Sequence, residues 1–430
     1  MKFFFPDSQD MVDPSFDFKA ETRAEFRVRQ HDDRYAHEVF QEAPFDGILV
    51  SMGIVESIGG AGAGRYTMAQ RHRLRRVGAR EFFRLPSNSG SGSTIQMMGD
   101  CGAFSYVREP EPPFSTEAVV DFYIDCGFDF GISVDHVILG FKAEYDAALP
   151  GMDIVPSDWR RRQDITLARA REFLQLCGRR NARFEPIGVA HGWSPLSYAS
   201  AFEEIQREGF QTIALGGLVP LKTHEILSIL EAVGAVRRAS TRIHLLGISR
   251  VEHVPAFAQF GVTSFDSTSP LRQAFKDERD NYYTMERTYS AIRVPQVDAN
   301  PKLMRRIRAG EVDQAAAHRL ERACLDAMAA FDDGIATVDD VLLPLKEYED
   351  LYDGQRTRIN RYREVLEAAP WKHCGCDICR HLGHHVILFR GAERNRRRGF
   401  HNVYVFHRRL ANTLEEMQCL TKEATDEDGQ

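Results

Sequence analysis

The 430-residue sequence has no long apolar run. Its longest stretches are short, such as Gly47-Ile48-Leu49-Val50, well below the roughly 18–20 residues that cross a bilayer. The opening Met1-Lys2-Phe3-Phe4-Phe5-Pro6-Asp7 has neither the apolar core nor the cleavage site of a secretory leader. A cytoplasmic protein with no membrane partner is therefore expected. Positive charge is not in excess: 55 Lys and Arg stand against 62 Asp and Glu, a net charge of −7. A uniformly basic nucleic-acid-binding domain is excluded on that count. No Gly-x-Gly-x-x-Gly follows the first apolar run, so a dinucleotide fold has no support. The glycine-rich segments 59–65 and 87–93 lack the Gly-Lys-Ser/Thr ending of a triphosphate loop and read as flexible loops.

What is present is a repeated alternation. Short apolar runs fall at Gly47–Ser51, Thr94–Met98, Phe128–Val134, Phe184–Ala190, Thr212–Leu215, Ile243–Ile248 and Val262–Phe265, with Phe3–Phe5 as a further candidate. Helical patterns lie between them, at Glu117–Cys126, Trp159–Cys177, Pro195–Glu208 and His224–Ala235. Strands alternating with helices imply a parallel sheet. So many units favour an α/β fold of the (β/α)8 TIM-barrel type, which takes about 250 residues. The expected division is a catalytic barrel over 1–293, a helical extension over 294–422 with helices near Lys302–Met328, Val338–Ala369 and His401–Lys422, and a disordered acidic tail over 423–430.

Polar residues and glycines stand just past several apolar runs: Asp100 after Met98, Asp135 after Val134, His191 after Ala190, Gly216 and Gly217 after Leu215, and Asp266 after Phe265. In a barrel, the carboxyl-terminal face of the strands carries the active site.

Eight cysteines are present, three of them at Cys374, Cys376 and Cys379. In a reducing compartment such a cluster reads as a metal site rather than as disulfides. Three thiolates and one imidazole give the closed tetrahedral shell of structural Zn2+. His401 is the chosen fourth ligand, with His373, His381, His384, His385 and His407 as alternatives. The residues 351–410 hold thirteen Arg and Lys against five Asp and Glu. Arg394, Arg396, Arg397 and Arg398 fall inside the expected zinc loop and are the favoured phosphate contacts. Arg71 to Arg76 and Arg160 to Arg162 are further basic candidates.

These residues together resemble a known family. Gly99-Asp100-Cys101-Gly102-Ala103-Phe104, the pair Asp129 and Asp135, Gly188-Val189-Ala190-His191-Gly192, Ala214-Leu215-Gly216-Gly217-Leu218, Leu245-Leu246-Gly247, Phe265-Asp266-Ser267 with Pro270 and Arg272, and the cysteine cluster with His401-Asn402 resemble, in order, the motifs of the tRNA-guanine transglycosylase superfamily. The opening Lys2 to Asp10 looks like its DNA-modifying branch. His191 stands where glutamine is usual, and His136 follows Asp135 where the queuine enzymes have Glu-Cys.

The resemblance implies a zinc-bearing barrel transferase that exchanges guanine in DNA for a 7-deazaguanine, 7-cyano-7-deazaguanine (preQ0). It implies Asp266 as nucleophile and Asp100 as general acid/base. Base contacts would come from Asp135, Gly216, Gly217 and His191, with Phe104 and Leu246 sandwiching the base. It also implies a helper ATPase as partner. The alternatives are a tRNA-guanine transglycosylase of queuosine or archaeosine type, and a non-catalytic zinc-stabilised nucleic-acid-binding subunit.

Overall fold

The computed structural model describes the chain except residues 59–63, 86–93, 148–153, 277–278, 354–357 and 428–430, and gives no side chains for 421–427. The two glycine-rich segments expected to be flexible loops fall largely outside the described residues.

Eight parallel strands close into a barrel in sequence order. They are β1 (Lys2–Pro6), β2 (Gly47–Ser51), β3 (Gln96–Asp100), β4 (Phe130–Ile132), β5 (Glu185–Ala190), β6 (Thr212–Leu215), β7 (Arg242–Leu245) and β8 (Val262–Asp266). The first and last strands pair directly, with Phe4 opposite Asp266, which closes the ring. Phe4, Leu49, Met98, Ile132, Ile187, Val189 and Ala214 fill the interior, with Phe130 and Leu246 packed against them. The barrel is thus a packed core, and only its rim is free for chemistry.

Local signals explain the crossover helices. The helix Pro195–Glu208 starts at Ser194, whose side chain accepts from Ser197 N–H, and has proline in its first turn. Such a cap satisfies an otherwise orphaned amide, and proline loses nothing where no N–H is needed. Gly209 ends the helix at φ 113°. The helix Thr116–Cys126 follows the same logic, capped by Ser115 and stopped at Gly127. Both helices are pinned to the barrel. Tyr198 donates to the Gly216 carbonyl at 2.8 Å, and Tyr123 to the Ile132 carbonyl at 2.9 Å.

The chain divides into two compact units. The first comprises 1–9, 45–268 and 410–430, and holds the whole barrel. The second comprises 10–44 and 269–409. It therefore begins earlier than the extension expected from residue 294 and draws in an N-terminal excursion between β1 and β2. Within it, Glu21 joins Arg390 and Arg394, and Asp13 joins Glu393, across some 370 residues of sequence. Hydrophobic periodicity does not register pairings of that kind. The helix expected over Lys302–Met328 is two helices, Pro301–Arg308 and Gln314–Asp332, separated by Gly310 at φ 74°. The last helix runs Gly391–Glu427. It starts ten residues before the expected His401 and extends into the tail expected to be disordered. No described helix is long and apolar enough to cross a membrane.

Candidate active site and metal centre

The expected site residues of the first unit gather on one rim. Asp100 ends β3 and Asp266 ends β8. His191 follows β5, Gly216 and Gly217 follow β6, and Leu246 follows β7. Asp135 lies three residues beyond β4. Six adjacent strands thus deliver the set to their carboxyl-terminal ends.

Around Asp135 the rim is a closed hydrogen-bonded cluster. His191 Nε2 lies 2.6 Å from Asp135 Oδ2. The Cys101 thiol donates to Oδ1 at 3.0 Å, and Tyr106 O–H donates toward Cys101 Sγ at 3.1 Å. Asp135, His191 and Cys101 are almost wholly buried. The side-chain ligand atoms of Asp100, Cys101 and Asp135 lie within 4.8 Å of one another. His191 in turn requires glycine beside it. A Cβ on Gly216 would come within 2.3 Å of the imidazole, and Gly217 has φ 76°. Only glycine accepts both the close approach and the left-handed backbone.

Asp100 sits deep in the rim while keeping some open surface. Burial, reinforced by the negative charges of Asp135 and Asp266, pushes its carboxyl up to about 8, against hydrogen bonds from Gly102 and Ser51. A carboxyl held protonated at neutral pH is equipped to donate a proton. Asp266 differs from it. Its Oδ1 accepts from Gly247 N–H at 3.1 Å and faces His244 Nε2 at 3.3 Å. Its Oδ2 has no hydrogen-bond partner among the described residues. One rim therefore carries a carboxyl held protonated at neutral pH, an aspartate with a free oxygen and a third, bonded aspartate.

Phe104 lies on the short turn Ala103–Tyr106 after β3 and is half-exposed, while Leu246 is partly buried against the barrel core. The sequence reading missed His244, Ser264, Tyr106 and Ser51. His244 and Ser264 occupy inward positions in otherwise apolar strand ends. Their inward placement shows only once the barrel closes.

In the second unit the structure brings Cys374, Cys376, Cys379 and His401 together. His401 Nδ1 lies 3.7, 3.4 and 3.4 Å from the three sulfurs in turn. A tetrahedral ion with ordinary Zn–S and Zn–N bonds would separate its ligands by about 3.5 Å. The far nitrogen of His401 is 2.8 Å from the Tyr283 carbonyl, and Tyr282 stacks on the ring. That second contact fixes which nitrogen faces the sulfurs. His381 and His384 are engaged elsewhere, with the Asp377 carbonyl and Asp332. The donor set fits a closed metal shell.

The expected phosphate contacts are placed differently. Arg394 to Arg398 lie on the helix Gly391–Glu427 rather than in a loop. Arg394, Arg397 and Arg398 are buried. Arg394 pairs with Glu21 at 2.5 Å and Arg397 with Glu393 at 2.7 Å. Arg398 donates to the carbonyls of Val386, Leu388 and Ala274 at 2.8–3.1 Å. Guanidinium groups engaged this way have donors already committed within the protein. Arg396 alone of the four keeps partial exposure, 24% of its side chain.

A closed parallel barrel with convergent carboxylates on its carboxyl-terminal rim defines an enzyme of the (β/α)8 class. The chain is 48% identical over 421 residues to a DNA-guanine transglycosylase of Salmonella montevideo, an alignment covering 96% of this chain and 97% of that protein. It belongs to the DNA-guanine transglycosylase family. No protein-family model matches it.

Proposed function

We propose that the protein exchanges a guanine base in DNA for a 7-deazaguanine, 7-cyano-7-deazaguanine, by double displacement through a covalent Asp266 intermediate. The carrying observation is the division of labour on one rim: Asp100 is held protonated near neutral pH while Asp266 keeps a free oxygen. The name of the Salmonella relative supports guanine in DNA as the target.

In the first displacement Asp266 Oδ2 attacks C1′ of the nucleotide. The C1′–N9 bond breaks, and its electron pair leaves with guanine, which takes the Asp100 proton. In the second, N9 of the incoming base attacks C1′. The C1′–O bond of the ester breaks and returns its pair to Asp266, and the N9 proton passes to Asp100. Both side chains end as they began, and the configuration at C1′ is retained. Asp135 accepts from the N1–H and 2-amino donors of a guanine-type edge, with His191 beside it. The Gly216 and Gly217 backbone approaches the base oxygen, and Phe104 and Leu246 flank the ring. A duplex base must leave the stack to be reached, which costs a few kcal/mol. The cysteine cluster with His401 would hold structural Zn2+, stabilising the second unit through a closed shell that leaves no open position for a reacting group. A helper ATPase is a further proposed partner.

The test is Asp266→Ala in a radiolabelled-base exchange assay, with digested DNA and tRNA analysed by mass spectrometry. Loss of incorporation and of any covalent adduct is expected, with 7-deazaguanine found in DNA. Unchanged incorporation in the variant, or label confined to tRNA, overturns the reading.

A further inference from the structure

The mechanism above uses Asp266 but assigns nothing to the two polar side chains behind it. His244 is fully buried inside the barrel on β7, and Ser264 is buried beside it on β8. The two are paired across the strands. Ser264 and Asp266 are two apart on one strand, so their side chains share its inward face. His244 Nδ1 lies 2.8 Å from Ser264 Oγ, and Nε2 lies 3.3 Å from Asp266 Oδ1. The Phe4 ring meets the imidazole edge-on at 6.0 Å.

From this row of side chains we infer that His244, set by Ser264, is the positioning residue of the nucleophile. The inference rests on the reading of Asp266 as nucleophile. A carboxylate only accepts, so Nε2 must carry the proton that faces Oδ1. In the neutral imidazole Nδ1 is then a lone pair, and the Ser264 hydroxyl must donate to it. The order is Ser264 O–H to Nδ1, then Nε2–H to Oδ1. Gly247 N–H supplies a second donor to the same oxygen. Two donors on Oδ1 stop the carboxylate from rotating and leave Oδ2 as the attacking atom.

The same N–H serves the second displacement. In the ester, Oδ1 is the carbonyl oxygen. When the C1′–O bond breaks, charge returns to the carboxylate, and His244 is already placed to meet it. Donors fixed in advance at a developing charge cost no reorganisation. Neither side chain reaches the base, so base affinity should not depend on them.

The experiment compares His244→Leu, His244→Gln and Ser264→Ala with wild type and Asp266→Ala. Exchange of radiolabelled guanine into duplex DNA is measured at varied guanine, and each variant is melted. His244→Leu is expected to lower kcat by about 100-fold, the scale of a misplaced reacting group. KM for guanine should stay within about twofold, because only the transition state loses an interaction. His244→Gln puts an amide donor near the lost Nε2 and is expected to recover most of kcat. Ser264→Ala frees the ring to turn a lone pair toward Asp266. It is expected to lower kcat about tenfold, the loss of one hydrogen bond to a charged group, with unchanged KM and melting. Ser264→Ala decides the matter if His244→Leu fails to fold. Wild-type kcat in Ser264→Ala, or in a folded His244→Leu, overturns the inference, as does a folded His244→Gln no better than His244→Leu. If Asp266→Ala itself keeps exchanging guanine, the nucleophile reading fails. If Asp266→Ala is inactive while the His244 and Ser264 variants behave as wild type, only the positioning role fails.

Discussion

His191 and Asp135 form a buried pair, with Nε2 2.6 Å from Oδ2. Because the carboxylate accepts, Nε2 carries the proton, and His191 Nδ1 is buried with no hydrogen-bond partner among the described residues. The pair thus combines an oriented carboxylate with an unmet buried nitrogen, an arrangement that costs free energy until a donor arrives. A guanine edge brings such donors. Asp135→Asn keeps the shape but replaces an accepting oxygen with an N–H2 group. KM for the incoming base should rise by roughly 10- to 100-fold, the worth of a hydrogen bond to a charged group. Saturation kinetics of base exchange check this, and an unchanged KM removes Asp135 from base recognition.

The elevated Asp100 carboxyl sets a pH dependence. Its value of about 8 lies above the ordinary 3.8, so the native state holds a proton at neutral pH that the unfolded chain has lost. Exchange that needs the acid form should decline as pH rises through about 8. Stability follows the same sign. The contribution of Asp100 is fully present below about 4 and is lost as pH rises through about 8. Asp100→Asn should cost about 10²- to 10⁴-fold in rate. It should also melt above wild type at pH 9, where wild type carries a buried charge and the variant does not. Rate–pH profiles and thermal melts of both proteins decide it.

The barrel was legible because its evidence is local and repeated. Each apolar run from Gly47–Ser51 to Val262–Phe265 corresponds to a strand, and Asp100, Asp135 and Asp266 were recognisable as residues at or just past strand ends. His244 was not. It lies between Ile243 and Leu245, and only the closed barrel shows that its face is the inner one, beside Asp266. The pairing of the arginines was not legible for a related reason. A run such as Arg396-Arg397-Arg398 looks solvated in one dimension. Asp13 reaches Arg397, and Glu21 the neighbouring Arg394, from the N-terminal excursion, and Arg398 is capped by carbonyls of its own unit. Pairings over such separations have no signature in periodicity.

The cysteine cluster predicts that the second unit depends on metal. Cys376 and Cys379 are buried beside His401, so an empty shell would place thiolates and an imidazole together without compensation. Metal binding to such a shell contributes folding free energy of about 10 kcal/mol or more. Purified protein should carry one zinc per chain by elemental analysis. Exhaustive chelation, or Cys376→Ala, should lower the melting temperature by roughly 10 °C or more. Full thermal stability after complete metal removal would refute a structural role.

The buried arginines lead to a prediction opposite to the one their charge suggests. Arg394 shares Glu21 with Arg390, and Arg390 also bonds Glu321 at 2.6 Å. Burial pushes the Glu21 carboxyl up, but the hydrogen bond from Arg390, with Gln296 and Arg394, overrides it and holds the group down at about 2. Arg394→Ala removes one buried cation from this knot and leaves part of a half-buried carboxylate uncompensated. Breaking such a pair typically costs about 3–5 kcal/mol, which corresponds to roughly 10 °C in a unit of this size. A residue bonded to phosphate would instead reduce the slope of log affinity against log salt by about 1. The expected outcome for Arg394→Ala is therefore a markedly lower melting temperature with an unchanged salt slope for DNA binding. The reverse result, a flatter slope at constant stability, would return these arginines to the DNA interface.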